Sequence, residues 1–70
     1  MKMYYCYLNY TLPHHTMVEF ARKTVLLAPT FSRAREMYIE RERDWIEQVK
    51  DYKDFYIGIV EQKDGAFTFY

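Results

Sequence analysis

Two histidines stand side by side, His14-His15, in a chain of 70 residues that carries one cysteine and two glycines. In an extended segment adjacent side chains point to opposite sides, so this pair does not converge on one ion. The first carboxylate that follows is Glu19, which leaves no compact ligand set. Cys6 alternates with Tyr4 and Leu8 and reads as a small core residue. No serine lies in a nucleophile-elbow context, no glycine-rich phosphate loop is present, and no HxE or CxxC spacing occurs. These residue types predict no enzyme, no metal and no cofactor.

The patterned polar residues are on one stretch instead. Glu36, Glu40, Asp44, Glu47 and Asp51 follow spacings of 4, 4, 3 and 4, which on a helix aligns five carboxylates on one ridge. Such a row costs helix stability by repulsion, partly relieved by Arg43, and is what a mimic of a phosphate row requires. The alternative is an ordinary solvated face, and the interleaved Arg33, Arg35, Arg43 and Lys50 weigh toward it. Arg41 falls between Tyr38 and Trp45 on the apolar side of the same helix. There it either snorkels past the edge of a sheet or stacks on an aromatic ring as a platform for a base or a carboxylate.

The elements that hold these residues follow from periodicity. Residues 3–10 alternate Tyr4, Cys6, Leu8, Tyr10 with Met3, Tyr5, Tyr7, Asn9, a period-two pattern with apolar residues on both faces that predicts a central strand. Pro13 breaks it into a loop. Residues 17–27 satisfy both a short-helix capping pattern and a strand, and a second strand paired with the first is favoured, with an irregularity near residues 21–23. Thr30 is the expected cap of a helix that starts at Phe31 and runs to about Val49 or Tyr52. At helical spacing Phe31, Ala34, Tyr38, Trp45, Val49 and Tyr52 form a stripe, flanked by Met37 and Ile46, that should face a sheet. Residues 55–61 read as a buried strand, Lys63-Asp64-Gly65 as a hairpin turn, and residues 66–70 as a last strand. The expectation is a single α+β domain over residues 1–70 in the order β-β-α-β-β, with one amphipathic helix on a mainly antiparallel sheet.

Composition narrows the partners. Ten Lys+Arg balance ten Asp+Glu, whereas a dedicated nucleic-acid binder carries a basic excess. One cysteine cannot form an internal disulfide, no secretion signal is seen at the start, and the longest apolar stretch, 25–29, is far below the roughly 20 residues of a membrane helix. A cytoplasmic protein is expected. Aromatic residues make up 20% of the chain, eight of them Tyr. So many rings stabilise a small core or furnish an interface. Tyr5 and Tyr7 are candidates for the latter. Phe67, Phe69 and Tyr70 are expected to form an edge open to a homodimer or a partner strand.

The run Val25-Leu26-Leu27-Ala28-Pro29-Thr30-Phe31-Ser32-Arg33-Ala34 resembles a strand-to-helix turn of many small phage-encoded proteins. Over roughly residues 17–61 the layout is similar to that of small phage inhibitors of host machinery, of the anti-CRISPR and host-takeover type. The resemblance implies a stoichiometric, non-enzymatic inhibitor in the host cytoplasm that binds a host protein or nucleoprotein complex. The residues offered for that contact by their own pattern, and not by the resemblance, are Glu36, Glu40, Asp44, Glu47, Asp51, Arg41, Tyr5 and Tyr7, with no direct sequence-specific contact to nucleic acid and no membrane. Two other readings stand beside it: an oligomer that sequesters a small nucleotide by stacking on Tyr rings and Arg41, and a self-associating structural subunit.

Overall fold

A computed structural model describes residues 1–63. The order is β1 (Lys2–Thr11), β2 (Val18–Ala28), α1 (Phe31–Arg41), α2 (Arg43–Val49) and β3 (Lys53–Glu61). The strands form one antiparallel sheet, β2-β1-β3. β1 is central, as its two apolar faces require. The chain leaves β2, crosses over β1 through the helices and returns on the far side as β3. The fold is α+β. The proposed last strand and the edge Phe67, Phe69, Tyr70 lie outside the described residues.

One face of the sheet carries the helices. Tyr4, Cys6, Leu8 and Tyr10 of β1 pack with Ala34 and Tyr38 of α1, Val49 of α2 and Ala28 of β2 in one buried cluster. Thr30 is the N-cap, its Oγ1 accepting from the backbone N–H of Arg33 at 3.1 Å. The helical stripe is buried as expected at Ala34, Tyr38 and Val49, but Phe31 and Trp45 remain substantially exposed.

The single helix of the sequence reading is corrected to two. At Glu42 the backbone turns to φ −103°, ψ 17°, although the hydrogen-bond ladder continues from Glu42 N–H to Tyr38 O and from Ile46 N–H to Glu42 O, both 2.9 Å. The break is therefore a bend. Its physical reason is Glu42 itself, a buried carboxylate drawn inward by two arginines.

Residues 18–28 are strand throughout, and the expected irregularity is real. Cys6 pairs with Thr24 and Leu8 with Ala21, so Arg22 and Lys23 together oppose Tyr7. Arg22 adopts φ 54°, the left-handed conformation of a bulge residue. A second irregularity lies between β1 and β3 around Tyr10. There Asp54, at φ 63°, is held by Asn9, which donates to its carbonyl at 2.8 Å, and by Thr11 Oγ1, which donates to Oδ2 at 2.9 Å.

Among the described residues no helix lies on the opposite sheet face. Tyr7 lies across Gly58 on β3, where a Cβ would come within 2.2 Å of its ring. Gly58→Ala is therefore expected to destabilise by about 1–3 kcal/mol in urea unfolding, and to cost nothing further once Tyr7 is Ala. An equal cost in both backgrounds would dissociate the effect from the ring. On the helix side, the Tyr4 hydroxyl is buried without a hydrogen-bond partner among the described residues. An unsatisfied buried hydroxyl costs about 1–3 kcal/mol, so Tyr4→Phe should leave the urea midpoint unchanged or raise it.

Candidate functional site

The helix-free face is the first candidate surface. Alternation places Met3, Tyr5 and Tyr7 of β1, Leu27, Val25 and Phe20 of β2, and Val60, Gly58 and Tyr56 of β3 on it. The bulge keeps Phe20 and Val25 on the same side even though they are five positions apart, an odd offset that unbroken alternation would put on opposite faces. Rings line its middle: Tyr5 and Tyr7 have centroids 5.8 Å apart, and Tyr7 meets Phe20 edge-on at 5.5 Å. Tyr5 is buried and Tyr7 half-buried. Around them Leu27 is 54% exposed, Val25 45% and Tyr56 61%. Lys23, two residues before Val25 and opposite Tyr7, is a charged position in the β2 row, and Asn9 is a polar one in the β1 row. An exposed apolar patch with a polar rim is the ordinary form of an interaction surface.

The second constellation sits at the helix bend. Arg22 Nε donates to Glu42 Oε1 at 2.5 Å, and its guanidinium lies 4.9 Å from the centre of the Trp45 ring. Arg41 Nε is 3.5 Å from Glu42 Oε2. The Tyr38 hydroxyl donates to the Arg22 carbonyl at 2.6 Å, and Trp45 Nε1 donates to the Tyr10 hydroxyl at 3.4 Å. Both the side chain and the carbonyl of the bulge residue are thus tied to the helices. The cation–π contact with Trp45 is made by Arg22, while Arg41, for which snorkelling and ring stacking are the two readings, is exposed and engages Glu42. Arg22 and Glu42 are not singled out by the sequence, because nothing local links a bulge at residue 22 to a carboxylate at 42; Trp45 is the anticipated stacking ring with a different cation.

The acidic ridge is paired from its own helices. Glu36 meets Arg33 at 3.2 Å, Glu40 meets Arg43, and Glu47 meets Lys50 at 2.9 Å. These are exposed pairs three residues apart, each worth little in stability, but they lower the net negative field along the row. Asp44 and Asp51 are exposed on the second half. His14 and His15 sit exposed in the turn between β1 and β2, where His14 has φ 68°. Among the described residues no three His, Cys, Asp or Glu side chains are grouped to hold a metal, and no helix is long and apolar enough to cross a membrane.

Burial also perturbs two titrating groups in the core. It pushes the Cys6 thiol up from 9.0 to about 11, against a smaller opposing effect of Arg41. Burial, then the charge of Glu42, raise the Tyr38 phenol well above its ordinary 10.0. Below about pH 9 both groups are neutral in folded and unfolded chains. Above it the unfolded chain ionises first and is favoured, so stability should fall as pH rises from about 9 through 11. Urea midpoints between about pH 8 and about pH 11 test this. Tyr38→Phe should lower the midpoint at the acid end, by about 0.5–1.5 kcal/mol for one lost hydrogen bond, and give a shallower alkaline decline. An unchanged slope would remove Tyr38 from that linkage.

No protein-family model matches this chain, and neither a curated protein nor a solved structure is found to resemble it.

Proposed function

We propose that this protein is a non-enzymatic binding domain that docks through the helix-free face of its sheet on an apolar surface of a larger protein. As with the small phage inhibitors whose layout it resembles, that partner would be a host protein or nucleoprotein complex that handles nucleic acid, bound stoichiometrically in the host cytoplasm. One observation carries the reading: the large apolar side chains of Met3, Phe20, Val25, Leu27 and Tyr56 are exposed together across three adjacent strands. Desolvating such rows on a partner of the same chemistry gains about 25 cal/mol per Å2 of apolar area before association costs are met. The acidic ridge supports the reading less well, because Arg33, Arg43 and Lys50 already occupy three of its five carboxylates.

Leu27→Lys with Tyr56→Lys is expected to abolish capture of a stoichiometric partner from nuclease-treated bacterial lysate, while Glu40→Lys with Asp44→Lys leaves it intact. All four positions are exposed, so circular dichroism should be unchanged in both variants. Loss in the second variant alone would move the interface to the ridge. Recovery of the wild-type chain by itself, as monomer or as dimer, would overturn the docking reading.

A further inference from the structure

Glu42 is a carboxylate with its side chain only 3% exposed, yet both arginines that hold it reach into solvent, Arg22 at 46% and Arg41 at 57% side-chain exposure. Each engages the carboxylate through Nε, one on Oε1 and the other on Oε2. Neither terminal nitrogen of either guanidinium donates to another group among the described residues. The buried anion is thus engaged by two cations whose side chains are partly open to solvent. The trio carries two positive charges and one negative, a local excess of one. Arg43, the next cation along the helix, is already engaged by Glu40.

We infer that Arg22 and Arg41 form a binding site for a phosphoryl group, as free phosphate or as the terminal phosphate of a nucleotide. Guanidinium groups present planar forks that match oxyanions, and charge-assisted bonds of this kind are about twice as strong as neutral ones. A tetrahedral phosphate has enough oxygens to accept from two forks at once. A carboxylate offers only two oxygens and a smaller charge, so it takes up less of the two forks. A free arginine forfeits rotamer freedom when it binds a ligand. Arg22 has much less to lose, because Glu42 fixes its Nε edge and Trp45 supports its face. The site lies at the helix bend and does not depend on the helix-free face of the sheet.

The test is titration of the 15N-labelled protein with inorganic phosphate, adenosine 5′-monophosphate and acetate at constant ionic strength, observing the arginine Nε–Hε and Trp45 indole resonances. Saturable shifts at Arg22, Arg41 and Trp45 with phosphate are expected, weakened about tenfold or more in Arg41→Gln and unaltered in Arg35→Gln, a control on an exposed arginine of the same helix. Tighter binding of the nucleotide than of phosphate assigns the source as a nucleotide, and equal or weaker binding assigns it as phosphate itself. Linear shifts without saturation, an acetate response equal to that of phosphate, or the same weakening in Arg35→Gln as in Arg41→Gln would each overturn the assignment. Circular dichroism confirms that both variants remain folded.

Discussion

The contact on which the rest of this fold depends is the one between Arg22 and Glu42. Arg22 is a non-glycine residue in left-handed backbone conformation, a state that costs roughly 1–3 kcal/mol and persists only where its surroundings hold it. Here Glu42 holds the side chain, Tyr38 the carbonyl, and Trp45 the face of the guanidinium. In return the arginine draws Glu42 into the protein and bends the helix. Bulge and bend are two ends of one interaction, and neither has an evident reason without the other.

What the bulge accomplishes is a matter of register. A strand has a side-chain period of two, so a slip of one residue exchanges its faces. Ala21 and Thr24 both oppose core-facing residues of β1 although they are three apart, and only an extra residue between them permits that. Without it, the half of β2 that begins the strand would turn Phe20 inward and Ala21 out. The pinned bulge therefore keeps Phe20 beside Tyr7 and Val25 beside Tyr5, and so assembles the apolar face to which the binding role is assigned. The core stability of one face and the interaction surface on the other share a single determinant.

The bend has its own consequence for electrostatics. A straight helix would carry the five ridge carboxylates in one line, with Arg41 on the apolar side. Glu42 takes up Arg41 at the bend, and Arg33, Arg43 and Lys50 find partners three residues away. The helical surface becomes a mosaic of paired charges rather than a negative row. This leaves the sheet face as the more distinctive surface, and leaves the two guanidiniums on Glu42 as the place where positive charge is held in fixed geometry.

Local pattern was enough to read much of this protein. The alternation through Tyr4, Cys6, Leu8 and Tyr10 with apolar residues between them determines a central strand, Thr30 before a run of helix formers determines the helix start, and the broken alternation at residues 21–23 marks the bulge. The strand and the helix start are set by neighbours within a pleat or a turn, which the order of residues displays directly; the bulge shows there only as broken alternation, and the contacts that hold it are tertiary. The tertiary structure alone decided the partner of Arg22, the burial of Glu42, the resulting bend and the exposure of Trp45. Those depend on side chains 20 and more positions apart meeting across the sheet–helix interface. The same holds for the two faces of β1: both are aromatic, so its composition could not say which one the helices would cover, and the choice was made by where the crossover from β2 to β3 passes.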